Sequence, residues 1–225
     1  MSFLKQAAAI AWKDILAEAR TKEMLSSVLV FCLLVIVIFN IAFDPGSQYL
    51  QEVIPGILWV AFTFAGTLGL NRSMFAEQEN GCLQGLLLCP LDRSAIYVGK
   101  LVGNILFMLL VEVIVLPLMA VLYNVNLMPS LGALIIIIVL STIGFAAVGT
   151  LLAAMTVNTG TREVLLPILL FPVVVPVIIA AVKSTARVLQ GNPWSLIVPW
   201  IKLLVGFDII FLVVSFLTFE YVIGE

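Results

Sequence analysis

Long apolar runs alternate with short polar breaks along the whole chain. Residues 24–43 carry no charge, and comparable runs fall at 53–70, 101–122, 131–155, 164–182 and 203–222. A bilayer crossing takes ~20 mostly apolar residues. The runs therefore predict six transmembrane helices. The breaks carry turn chemistry: Asp44-Pro45-Gly46, then Asn124, Asn126 and Pro129, then Asn158 and Gly160, then Gly191-Asn192-Pro193. The longest break is residues 71–100. The last run is interrupted by Asp208, about five residues inside its start.

Residues 1–23 are too polar to span. On a helix, Leu4, Ala8, Ala11, Trp12, Ile15 and Ala19 share one face, with Gln6, Lys13 and Arg20 opposite. Glu18 and Lys22 stand at i, i+4 in the favourable order. This pattern predicts an amphipathic helix lying in the membrane interface. The polar stretch is too long, and the following run too full a span, for a cleaved signal peptide. The expected fold is an all-α membrane protein with a single transmembrane domain over 1–225.

Lys and Arg counts orient the spans. With the N-terminus inside, Lys5, Lys13, Arg20, Lys22, Arg72, Arg93, Lys100 and Arg162 are cytoplasmic, and only Lys183, Arg187 and Lys202 lie outside. Both termini are then cytoplasmic. Tyr49, Trp59, Tyr97, Tyr123, Trp194 and Trp200 fall near span ends, where interfacial anchors are expected.

Composition agrees with this reading and removes other classes. The chain is 63% hydrophobic and 11% charged, against ~45–50% and ~25% in soluble domains. A net charge of −2 gives no footprint for nucleic acid. There is no histidine, so the commonest metal ligand and general base is missing. No GxxxxGK[ST] motif occurs, so ATP driving this chain must be bound by another. Cys32 is placed in lipid, and Cys82 and Cys89 in reducing cytosol with no zinc-binding spacing.

The 71–100 segment is the main candidate for chemistry between partners. Glu77 and Glu79 precede Gly81, Leu83, Leu86 and Leu87 recur at helical spacing, and Pro90 stops the pattern. A short amphipathic helix here could rest on headgroups or dock into a partner's groove. The acidic residues favour docking, because anionic headgroups repel them.

Inside the spans, Glu112 and Asp208 are carboxylates at membrane depth, readable as transport or gating groups or as structural ones. Asp208 is near enough to its span end to reach the interface. Pro167, Pro172 and Pro176 predict a kinked or broken fifth span facing the bundle interior or a second copy. A lone secondary transporter would use Glu112 or Asp208 as a proton relay.

Two sequence blocks carry a resemblance. One is Phe75 through Lys100, with Glu79, Gly81, Leu83, Leu86-Leu87, Pro90 and Arg93-Ser-Ala-Ile-Tyr-Val-Gly-Lys100. The other is Asn158-Thr-Gly-Thr-Arg162 through Pro167, Pro172 and Pro176. With the ending Phe219-Glu220-Tyr221-Val222, the chain resembles the cytochrome c maturation protein B family, also called haem exporter protein B. Gln84 departs from that pattern, where an acidic residue is expected. The resemblance implies the membrane subunit of an ABC transporter in the bacterial inner membrane, not catalytic by itself. It implies an ATPase subunit, maturation protein A, docked at Glu77, Glu79, Gly81, Leu83, Leu86 and Leu87. It further implies maturation proteins C and D, the periplasmic haem chaperone protein E, and two copies of this chain. An ABC permease subunit exporting a lipid, drug or polysaccharide shares the physical pattern and lacks only the two blocks. ATP and haem would be handled by the complex. No cofactor is assigned to this chain, since it lacks the usual histidine ligand and methionine in a helix generally packs.

Overall fold

A computed structural model of the chain describes residues 3–43, 48–79, 85, 92–157, 159 and 161–224. The structure is all-helical among those residues. Helix α1 spans Phe3–Thr21, α2 Glu23–Ala42, α3 Gln48–Glu79 and α4 Arg93–Leu122. A single 3₁₀ turn at Met128–Ser130 leads into α5, Leu131–Thr156. Helix α6 spans Arg162–Leu189 and α7 spans Trp194–Gly224. Six of the seven helices, α2 to α7, are long and apolar enough to cross a membrane. The chain is a multi-pass membrane protein.

The most buried span is the least apolar. The α3 span has the lowest mean hydropathy of the six, 1.8, and is 72% buried, whereas α2, at 2.8, is 22% buried. A helix shielded by protein can carry polar groups that a lipid-facing helix cannot. Helix α5 packs against α3, α4, α6 and α7 and forms the other half of the interior. Its inward faces carry Ser141, Thr142, Gly144, Ala146, Ala147, Gly149 and Thr150. Small residues let helix backbones approach, which is the main source of packing energy where lipid removes the hydrophobic drive. Gly149 seats the side chain of Leu70, and Gly66 lies under Met108 and Phe145.

Three aromatics expected at the interface tie helices together instead. Trp59 donates to Thr185 Oγ1 at 3.0 Å, joining α3 to α6. The Tyr97 hydroxyl donates to the Ala147 carbonyl at 3.2 Å, and the Tyr123 hydroxyl to the Ile36 carbonyl at 2.9 Å. All three are buried. Their polar tips find acceptors inside the bundle, so they have no need of headgroup water. Trp194 and Tyr221 are exposed, as anchors should be. Tyr49's side chain lies outside the described residues.

Two other expectations change. Helix α6 runs unbroken through Pro167, Pro172 and Pro176. Leu166, Leu170, Val174, Val177, Ala180 and Ala181 form its buried face, while Pro172 and Pro176 point outward. The helix survives because each proline removes one backbone bond and the neighbouring bonds persist. The last helix begins at Trp194, so Asp208 lies at its middle and not near its end.

Helix α1 uses a different face from the one its apolar pattern suggests. Gln6, Ala7, Ile10 and Ala11 are buried, mainly against α4. Leu4, Trp12, Ile15 and Leu16 stay exposed. The contact is close because α4 presents Gly99 and Gly103, a GxxxG pair. A Cβ at Gly99 would meet the Ala7 carbonyl oxygen at 2.8 Å and Ile10 Cβ at 2.7 Å. Backbone cannot yield as a flexible side chain can. Gly99→Val should therefore destabilise the protein by about 1–3 kcal/mol. Gly132→Ala, where a Cβ meets nothing within 4 Å, should leave thermal unfolding in detergent unchanged.

Candidate functional site

The segment expected to dock a partner lies between the end of α3 and the start of α4. Gly81, Leu83, Leu86, Leu87, Cys82 and Cys89 lie outside the described residues. Glu79 is in the last turn of α3. Glu77, expected at the docking surface, is 5% exposed and faces α1 and α4. Its carboxylate is committed inside the protein and is not offered to a partner.

Glu77 belongs to a cluster of four charges drawn from three helices. Lys100, on α4, is 1% exposed. Its ammonium lies 2.7 Å from Glu77 Oε1 and 2.8 Å from Asp14 Oδ2. Lys13 also donates to Glu77 Oε1 and lies 3.5 Å from Asp14 Oδ1. Two ammonium groups and two carboxylates alternate, so the ionised cluster is neutral. A charge is tolerated at such burial only when paired this way.

The two carboxylates titrate in opposite directions. Burial raises Asp14 above its ordinary value, only partly offset by Lys100 and Lys13, and nearby Glu77 adds to the rise. Burial also pushes Glu77 up, but Lys100 and Lys13 together hold it below its ordinary 4.5. Glu77 is therefore the firmly ionised member.

Sequence reasoning set Lys13 on a solvent face and counted Lys100 among the charges that orient the spans. It did not single out Asp14. One signal was available: Lys100 follows Gly99 immediately, inside a GxxxG pair, where a neighbouring helix must approach. The identity of that neighbour was not readable, since Glu77 is 64 positions from Lys13.

A second polar site lies within the membrane-spanning bundle. Glu112 is 3% exposed, and Thr142 Oγ1 lies 2.8 and 3.0 Å from its two oxygens as donor. A cavity of about 10 Å³, room for one water, is bounded by Glu112, Thr142, Ser141, Thr63 and Trp59 among others. Asp208 is buried against Gly144. Neither of its oxygens, nor Ser141 Oγ, has a hydrogen-bond partner among the described residues. Thr142 and Gly144 are about 200° apart around α5. The structure therefore does not join Glu112 and Asp208 into one relay.

The sites make separable predictions. Lys100→Met should cost about 3–5 kcal/mol, because the buried Glu77 and the half-buried Asp14 then share only the exposed Lys13. Thr142→Val should cost about 1–3 kcal/mol by leaving Glu112 without its donor. Both are read from thermal unfolding in detergent. The pH dependence has a defined sign. Glu77, held low, contributes stability that is complete above its ordinary 4.5 and lost as pH falls through its folded value. Asp14, held high, acts oppositely, its contribution being lost as pH rises through its folded value. Glu77→Gln should flatten the fall in melting temperature below pH 4.5.

Comparison with known proteins covers almost the whole chain. The family model described as CcmB protein matches residues 5–223. A Pseudomonas aeruginosa protein called Heme exporter protein B is 31% identical over 178 residues, 78% of this chain and 78% of that protein. A Rhodobacter capsulatus protein of the same name is 29% identical over 163 residues, 72% of this chain and 74% of that protein. One from Bradyrhizobium diazoefficiens is 26% identical over 185 residues, 82% of each. The match extends across all six spans and both ends of the docking segment, and the chain belongs to the CcmB protein family.

Proposed function

We propose that this chain is the membrane subunit of an ABC-type haem exporter or haem-chaperone release complex acting in cytochrome c maturation. The observation that carries this reading is the family match from residue 5 to residue 223, with relatives named Heme exporter protein B. That name weighs against a subunit exporting a lipid, drug or polysaccharide. The chain catalyses nothing by itself. A separate ATPase subunit, maturation protein A, hydrolyses ATP, and this subunit passes on the movement.

Docking falls to Glu79 and the segment beyond it, with Gly81, Leu83, Leu86 and Leu87. An apolar helical face with an acidic end suits a groove on a soluble partner. The burial of Glu77 supports assigning it to the base of that segment. The orientation follows the basic residues, with both termini in the cytoplasm and the chain in the bacterial inner membrane. The exposed apolar face of α1, with Leu4, Trp12, Ile15 and Leu16, suits the membrane interface.

Maturation proteins C and D and the chaperone protein E complete the complex, with two copies of this chain. The outward prolines of α6 support such a cover. Pro172 and Pro176 cannot donate to the carbonyls four residues earlier, those of Ile168 and Pro172, and lipid offers no donor. Haem itself is held by a partner. With no histidine in the chain, the usual axial ligand is lacking. Glu112 and Asp208 then serve the bundle's packing and its movement.

Charge reversal at Glu79 with Leu83, Leu86 and Leu87 replaced by Ser should abolish co-purification of the ATPase subunit, while the bundle melts as before. Retention of the ATPase would exclude docking there. Haem titrated into the purified chain should give no stoichiometric Soret shift. A methionine-dependent one would place haem in this subunit.

A further inference from the structure

The four-charge cluster stands where the docking segment meets the bundle. Glu77 is two residues from the end of α3, and Lys100 lies two turns into α4. The cluster therefore ties both legs of the segment together at its base. It also includes a third element. Lys13 and Asp14 belong to α1, far from that segment in sequence.

Helix α1 has one principal support. It rests mainly on α4, through Ala7, Ile10 and Ala11 over Gly99 and Gly103. Its opposite face, with Leu4, Trp12, Ile15 and Leu16, touches little protein. At its far end, α1 turns into α2 at Lys22, which has φ of 55°, a left-handed conformation uncommon outside glycine and asparagine. The turn is held by the Lys22 amide on the Glu18 carbonyl at 2.8 Å, and by the Leu25 amide on Glu18 Oε1 at 2.8 Å. That corner joins α1 to α2, which packs on α3 and α4 and leaves its remaining face outward.

We propose that Lys13, Asp14, Glu77 and Lys100 form a joint that binds α1 into the coupling device, so that force on the docking segment moves α1 and, through the Lys22 corner, α2. Lys100 is the positioning residue, since it alone pairs with both carboxylates from a fully buried site. This rests on the docking reading above. Alternating charges around the buried Lys100 and Glu77 fix direction as well as distance, which apolar packing against lipid cannot do. The joint stays closed through the cycle and carries load without opening.

The test uses the complex of this chain with its ATPase subunit in nanodiscs, in a background lacking Cys32, Cys82 and Cys89. Spin labels at Leu4 and Tyr221, both exposed, report the distance from α1 to α7 with and without trapped nucleotide. The double variant Lys13→Met, Asp14→Asn removes both α1 charges and leaves Lys100 paired with Glu77, so the buried charges of the bundle remain neutral. In the unaltered complex nucleotide should shift the distance. In the double variant the ATPase subunit should still co-purify, but the shift should shrink about fivefold or more. A crosslink between Ala11→Cys and Gly103→Cys should restore it, because a Cβ at Gly103 lies 4.0 Å from Ala11 Cα. A full shift in the double variant would overturn the joint and leave docking intact. So would a crosslinked double variant that docks but does not move. If the ATPase subunit does not bind the unaltered chain, the docking reading falls and takes the joint with it.

Discussion

An ammonium group with 1% of its residue exposed must find carboxylates, or the fold cannot close around it. Lys100 meets this constraint by drawing Asp14 from α1 and Glu77 from α3 to within 2.8 Å. Much else follows from that requirement. The end of α3 is fixed beside the start of α4, so the docking segment begins and ends at one place. Helix α1 is held on α4, with Gly99 and Gly103 providing the close approach. Its remaining apolar face is left outward, toward the membrane.

The interior of the bundle solves a related problem by different means. Polar groups there cannot rely on water, so they are matched across helices. Trp59 meets Thr185, Asn104 Nδ2 meets Thr150 Oγ1 at 2.9 Å, and Thr142 meets Glu112. The first joins α3 to α6, the other two join the consecutive α4 and α5, and each fixes the register of its pair. Asp208 and Ser141 are exceptions, buried without such a partner among the described residues. Small residues on α5 let these pairs form, since bulkier ones would hold the backbones apart.

Proline marks where rigidity and exposure meet. Pro172 and Pro176 sit on the outer face of α6, yet the helix continues through them. In water, freed carbonyls would be solvated and the break would be easy. In lipid no such alternative exists, so the remaining helical bonds hold. The three prolines predicted a kinked or broken span, and of these two the break does not occur.

The sequence by itself determined the number of spanning helices and the polar breaks between them. Those features depend on the length and apolarity of contiguous residues, which the bilayer reads directly. It also identified the family, through the residues between Phe75 and Lys100. It did not reveal that Glu77 turns inward, that Asp208 lies mid-helix, or that Tyr97 and Tyr123 serve as ties. Each of these depends on what a neighbouring helix presents, and neighbours here can lie far apart in sequence, as Trp59 and Thr185 do, 126 residues apart. Lys100 is the plainest case. In the sequence it is one more basic residue at the end of a span. Only the tertiary structure places two carboxylates beside it, because only packed helices can exclude the water that would otherwise have solvated its charge.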